Sequence, residues 1–320
     1  MPIPEGVIRV DRREIAISRP EKVLFPEDGI TKGDLIEYYA RIAPKMVPHL
    51  RDRPLTLERY PNGINTKRFF QKEVSSYFPD WIRRVTVKKV GGTVTHVVCN
   101  DTATLVYLAN QACVTPHIFL SRTDKLNYPD QLVLDLDPQG EDFELVRSTA
   151  RAFKQLLDEL ELPAFLKTTG SRGLHLVVPL QRREEYDSVR DFARELAAIV
   201  VSQAPKERTL EQLKADRGQR VFIDTNRNGY AQLVAPAYAV RARKGAPVSV
   251  PLDWSELEQK SLRPNGYTIR TIFERLEKSR DPWGDFWKSG VSLTKARRKL
   301  GRNGSHATAR LPSPAPRRSS

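Results

Sequence analysis

The chain is poor in sulfur and has no long apolar run. Its 320 residues include two cysteines and two methionines. Cys99 and Cys113 lack the spacing of a metal finger and are too few for a disulfide framework, so both are expected to be reduced thiols. No segment approaches the length of a membrane span, and the start, MPIPEGVIRVDRREI, has no apolar stretch of the kind that directs secretion. A soluble intracellular protein is expected. The phosphate-loop pattern GxxxxGK[ST] is also missing, which excludes the P-loop nucleotide enzymes. Acidic residues are absent from Gly290 onward, where eight Lys and Arg put +8 of the net +14 in the tail and leave +6 on the rest. Such a balance suits phosphate-rich partners.

What is present has the rhythm of an α/β chain. GVIRVDRREIAIS alternates like a hairpin. Thr31 with Asp34 forms a capping signal, and Leu35, Tyr38, Ile42 and Met46 share one face of a helix expected from about Lys32 to about Val47. Strand-like pieces follow, then DTATLVYLANQAC as a buried helix. The second half reads strand, amphipathic helix, strand, glycine turn, strand, helix, strand. The composition places the ordered body at residues 1–288 and a disordered basic tail at 289–320.

The run LVLDLDP ends an apolar strand with two aspartates. Strand alternation puts Leu132, Leu134 and Leu136 on one face and Val133, Asp135 and Asp137 on the other. Two carboxylates about 7 Å apart at Cα repel each other unless a cation joins them, and Mg²⁺ or Mn²⁺ takes such oxygen ligands. A solvated strand end or a helix cap would use the same residues. Asp224, in RVFIDTN, is the best third ligand, and three carboxylates would let two cations share ligands around a transferring phosphoryl group.

The turn TTGSRG, with Thr169, Ser171 and Arg172, offers backbone N–H groups and a guanidinium to an anion, and His175 follows on the strand face opposite Leu174 and Leu176. A plain hairpin turn with a satisfied histidine fits the shape equally well. Lys22 and Lys32, around the start of the capped helix, make a candidate phosphate pocket, against the ordinary reading of surface lysines. Phe69 and Phe70 sit among Lys67, Arg68 and Lys72, so one ring is expected in the core and the other out, where it could stack on a base.

These segments, with ERYPNG, TPHIFLSR and AYAVRARKGAPVSVPLDW, occur in one order over nearly the whole body. Together they resemble the polymerase domain of bacterial ligase D, of the archaeo-eukaryotic primase-polymerase superfamily, which serves non-homologous end joining. The resemblance implies an α+β fold: an RRM-like catalytic core at about 129–288 with a packed N-terminal α/β module at about 1–128. It implies a nucleotidyltransferase that adds nucleotides, ribonucleotides by preference, to 3′ ends at double-strand breaks and short gaps. Asp135, Asp137 and Asp224 would hold two Mn²⁺ or Mg²⁺ ions. Thr169, Ser171, Arg172 and His175 would bind the incoming nucleoside triphosphate with Arg241, Arg243 and Arg59. Lys22 and Lys32 would hold a downstream 5′-phosphate on DNA, and Phe69 and Phe70 would stack near the template. His117 and Asn228 match positions near the DNA and nucleotide. Ku and a DNA ligase would be partners, and the location cytoplasmic, on the nucleoid.

The chain departs from the family at several points. Arg172 and Thr169 stand where the family commonly has lysine and often serine. After Asp224 the family often reads YLQN, whereas Thr225, Asn226 and Arg227 precede Asn228 here. Two other readings remain for the same residues. One is a haloacid-dehalogenase-type phosphatase, which also uses D-x-D but needs a later Ser/Thr, Lys and acidic cluster. The other is a non-catalytic module that bridges DNA ends.

Overall fold

The computed structural model describes residues 3–303. Near the N-terminus β1 (Gly6–Val10) and β2 (Arg13–Ile17) form the expected hairpin, and β3 (Val23–Phe25) pairs with β4 (Ile30–Thr31). Helix α1 spans Lys32–Leu50. Its start is fixed reciprocally. Thr31 Oγ1 accepts the Asp34 N–H at 3.1 Å, and the Asp34 carboxylate accepts the Thr31 N–H at 2.7 Å. Leu35, Tyr38, Ile42 and Met46 are all buried, and α1 packs on α2 (Thr102–Asn110), whose residues after Thr102 are all buried. These helices lie with a five-stranded sheet in which β5 (Leu55–Arg59) pairs with β6 (Phe69–Gln71), β8 (Gly92–Val97) and β9 (Cys113–Ile118). The edge strand β7 (Arg84–Lys89) pairs with β8.

The second sheet carries the acidic motif. Its strands are β10 (Gln131–Pro138), β11 (Phe165–Thr168), β12 (Leu174–Pro179), β13 (Arg208–Thr209), β14 (Val221–Asp224) and β15 (Pro251–Leu252). Their spatial order is β13-β14-β10-β12-β11-β15. With α3 (Phe143–Glu159) after β10 and α4 (Tyr186–Gln203) after β12, the chain order β10-α3-β11-β12-α4-β14 is a split βαβ repeat with antiparallel neighbours, the arrangement expected of an RRM-like core. Leu132, Leu134 and Leu136 enter one core with Leu174, Leu176, Val221 and Ile223, under α3 and α4. Val133 and Val177, on the opposite face, join the other core beneath α1 and α2. The chain returns to this core beneath α1 and α2 after β14, because Val234, Tyr238, Val240, Val248, Val250, Trp283 and Phe286 pack there. The sheet is therefore covered on both faces, except where its aspartates emerge.

The chain's order does not end at 288. Val291 bridges to Leu180, Leu293 and Ala296 are buried, and α6 covers Thr294–Asn303. Three basic residues of α6 have partners: Lys295 and Lys299 reach Glu161, and Arg297 donates to Ser188 O at 2.6 Å. The tail's average composition conceals this amphipathic turn. The remainder of the expected tail, 304–320, lies outside the described residues. Among the described residues no helix is long and apolar enough to cross a membrane.

Candidate active site

Antiparallel register brings four polar residues into one row across the sheet. Asp135 on β10 faces Asp224 on β14 on one side and His175 on β12 on the other, and His175 faces Lys167 on β11. Asp135 Oδ1 lies 3.3 Å from His175 Nε2. Arg227, in the 3-10 turn Asn226–Asn228, places its Nε 3.3 Å from Asp135 Oδ2 and 3.3 Å from Asp224 Oδ2. Asp137 lies further along the same face, 3.1 Å from Arg172 and 3.8 Å from Arg217.

This surrounding sets the charges. Burial pushes Asp135 up, but His175 and then Arg227 outweigh it and hold the carboxyl well below its usual range. Asp224 is raised, by burial first and against the pull of Arg227. His175 is lowered to about 4, by burial and then by Lys167, so its imidazole is neutral at pH 7. Burial, followed by Arg241, brings Lys167 down to about 7; its ammonium donates to Ser249 Oγ at 2.7 Å and Ala235 O at 3.1 Å.

The glycine turn closes over the row. Thr169 Oγ1 accepts the N–H groups of Ser171 and Gly173, each at 3.2 Å, so this hydroxyl organises the turn instead of projecting outward. At Gly173 a Cβ would lie 1.9 Å from Leu136 O, and Gly170 has φ +64 with a Cβ position 2.8 Å from Arg241 Cγ. Only glycine lets the turn lie directly on β10 beside the carboxylates. Arg241 in turn donates to Thr169 O at 2.9 Å.

A cavity of about 380 Å³ opens here, lined by Asp135, Asp137, Asp224, Thr169, Ser171, Arg172, His175, His117 and Arg241. Lys214, Arg217 and Arg227 line it as well and were missed in the sequence. For Arg227 the available signal was its place three residues after Asp224, where a one-turn bend returns a side chain to the same spot. Among the described residues no group of three or more His, Cys, Asp or Glu side chains is drawn together as a metal cage. Arginines occupy the carboxylates in its stead.

Other expected residues lie elsewhere. Arg59 is buried outside the cavity, donating to Gln111 O at 2.7 Å and Gln71 Oε1 at 2.6 Å. Arg243 is exposed and does not line the cavity. Asn228 is fully buried, and the expected contact with DNA or nucleotide fails: its amide clamps β10 by accepting the Val133 N–H at 2.7 Å and donating to Val133 O at 2.7 Å. His117 lies 2.9 Å from Glu58, which also pairs with Arg68 at 3.0 Å.

Phe69 and Phe70 are 42% and 43% exposed, so neither ring enters the core as alternation suggested. The three-residue strand β6 lies at the sheet's edge, paired only with β5. Arg59 and Arg68 lie 5.1 and 5.2 Å from the centres of Phe69 and Phe70. At the start of α1 the anion reading changes too. The first amides are already occupied: Lys32 N–H by Lys22 O at 2.8 Å, Gly33 N–H by Pro20 O at 2.7 Å, and Asp34 N–H by Thr31. What remains is side-chain charge. Lys32 is buried, donating to Ser18 Oγ at 3.3 Å, and its pKa is lowered by burial and then by Arg19 and, less, by Lys22. Among the described residues neither Lys22 nor Lys32 has a carboxylate partner.

Comparison with known proteins bears on this geometry. A family model described as the LigD primase-polymerase domain matches residues 31–283. A multifunctional non-homologous end joining protein LigD from Mycolicibacterium smegmatis is 33% identical over 88% of the chain and 36% of its own length. The bifunctional LigD of Bacillus subtilis is 31% identical over 84% of the chain and 43% of its own length. The chain thus spans well under half of these curated relatives. The solved polymerase domain from Mycobacterium tuberculosis ligase D, in complex with DNA, superposes with a TM-score of 0.81 at 29% identity, covering 86% of this chain and 99% of that one. By the family model, these relatives and the shared fold, the chain belongs to the LigD primase-polymerase domain family.

Proposed function

We propose that this chain is a DNA-dependent nucleotidyltransferase that extends 3′ ends at breaks and short gaps during non-homologous end joining. One observation carries the reading: Asp224, Asp135 and His175, aligned across the sheet with the buried Lys167 at the end of their row, open with Asp137 into a cavity walled by Arg172, Arg217, Arg227 and Arg241. Carboxylates beside arginines in one cleft suit a nucleoside triphosphate and the cations that accompany it.

The donor set fits Mg²⁺ or Mn²⁺, because Asp135, Asp137 and Asp224 supply only oxygen and already attract guanidinium cations. Two such ions there would lower the pKa of a primer 3′-hydroxyl and neutralise the triphosphate and departing pyrophosphate. His175, with Nε2 3.3 Å from Oδ1, keeps Asp135 oriented. Arg172 and Arg241 meet the phosphates, with Ser171 beside them. The glycine turn holds these groups against β10 and limits water at the reacting phosphorus.

DNA would run from this cleft over Phe69 and Phe70, with Arg68 beside them, and its downstream 5′-phosphate would sit on Lys22 and Lys32. A preference for ribonucleotides, and Ku and a ligase as partners, belong to the same reading. In it the module at about 1–128 presents DNA to the core at about 129–288. The primase-polymerase family model matched over residues 31–283 favours extension over the phosphatase alternative.

The test is extension of a labelled primer on gapped DNA with Mn²⁺ or Mg²⁺ and either ribo- or deoxynucleotides. Wild type extends, and Asp135→Ala combined with Asp137→Ala does not. DNA binding without extension under both metals would instead make the chain an end-bridging module.

A further inference from the structure

Each carboxylate of the site is matched by an arginine, but the arginines are held differently. Arg217 is anchored from outside the site: it donates to Glu211 O at 2.9 Å and Gln212 O at 2.7 Å and stacks 3.7 Å over Phe222. Arg227 has no such anchor among the described residues. Its contacts are the 3.3 Å approaches of Nε to Asp135 and Asp224, and its side chain is 39% exposed to the cavity. Among the described arginines that line the cavity it alone spans two carboxylates, and its contacts are with them; Arg172, held by Asp137, reaches one.

We propose that Arg227 is an exchangeable counter-ion: it bridges Asp135 and Asp224 until divalent cations claim those carboxylates, and then turns into the cavity to bind the phosphates of the incoming nucleotide. The inference rests on the metal-dependent reading above. Competition for the same two oxygens means that Arg227 weakens cation binding while the nucleotide is absent. A bound triphosphate offers the displaced guanidinium a new bidentate partner, which returns that cost. Cation and nucleotide binding thereby become mutually favourable, and the empty cleft keeps its two facing carboxylates neutralised. No bond is made or broken in the exchange; one cation replaces another. Arg227 acts on the substrate only in the loaded state, and in the empty state it positions the two carboxylates.

The test is Mn²⁺ binding to the full chain, followed by the electron paramagnetic resonance signal of the free ion, without and with a non-hydrolysable nucleoside triphosphate. Arg227→Gln binds Mn²⁺ about tenfold more tightly than wild type without nucleotide, and the tightening that nucleotide brings to wild type shrinks several-fold. In steady-state extension the same variant raises the KM for nucleotide about tenfold. Arg227→Lys, which keeps the charge but loses the fork, recovers the weaker Mn²⁺ binding without recovering KM. Equal Mn²⁺ affinity in wild type and Arg227→Gln would overturn the exchange while leaving the metal site intact. Asp135→Asn serves as the control: if it binds Mn²⁺ as wild type does, the carboxylate site and the exchange fall together.

Discussion

His175 faces Asp135 across the ladder of neighbouring strands, its Nε2 3.3 Å from Oδ1, and its other ring nitrogen is buried without a partner among the described residues. The imidazole is neutral, so its contribution is orientation of the carboxylate. Partners of this kind are worth about 10- to 100-fold in activity. His175→Phe should therefore lower the single-turnover extension rate by roughly that factor while gapped-DNA affinity stays within about twofold. Unchanged extension would remove the histidine from the site.

Phe69 and Phe70 are exposed and contribute little to the core. Phe69→Ala and Phe70→Ala should each weaken gapped-DNA binding by about 1–3 kcal/mol and leave the melting temperature within about 2 °C. Fluorescence anisotropy on gapped DNA, beside a thermal melt, separates the two effects. Loss of stability with full affinity would contradict the stacking role.

Gly173 touches Leu136 O so closely that any Cβ forces the turn away from β10. Gly173→Ala should cost about 2–4 kcal/mol in urea unfolding and reduce extension with it. By contrast Gly91, at the β7–β8 turn, has open space around its Cβ position. Its φ of +77 leaves only the backbone strain, so Gly91→Ala should cost about 1 kcal/mol and spare activity.

Arg53 is fully buried, with its guanidinium 2.7 Å from each oxygen of Asp130. Arg53→Ala would strand that carboxylate with Arg122 alone, and should destabilise by about 3–5 kcal/mol. Removing the exposed Arg83, which pairs with Asp52, should cost less than about 1 kcal/mol. Chemical denaturation of both variants gives the comparison directly.

His49 is packed among Trp283, Phe286 and Trp287 and is brought by burial down to about 4. Between about 4 and the unfolded value near 6.5 the unfolded chain binds the extra proton, so stability must rise with pH across that window. It is fully present above about 6.5 and is lost as pH falls, by up to about 3 kcal/mol. His49→Phe should flatten this part of the stability profile in urea melts taken from pH 4 to pH 7. A profile as steep as wild type's would place the titration elsewhere.

Much of the fold was readable because its signals are local. Thr31 and Asp34 cap α1 within one turn, and the alternation of LVLDLDP assigns its leucines and aspartates to opposite faces before any partner strand is known. The same alternation misplaced Phe69 and Phe70, because on a three-residue strand at the sheet's edge both rings stay partly exposed. Composition misjudged residues 289–303 for a related reason. Leu293 and Ala296 are apolar only in the company of α3 and α4 residues far away in sequence.

The sequence by itself determined which residues are candidates for the chemistry: Asp135 and Asp137 on one strand face, Asp224 at another strand's end, and a glycine turn before His175. Those assignments follow from strand periodicity and the φ freedom of glycine, which need no distant contacts. Tertiary structure alone decided who stands beside whom. Register across four strands aligned Asp224, Asp135, His175 and Lys167. It also sent Asn228 inward to clamp β10, drew Arg59 out of the cleft, and set Arg227 between two carboxylates. Pairing register joins residues about ninety positions apart, as Asp135 and Arg227 are, and no local pattern encodes that separation.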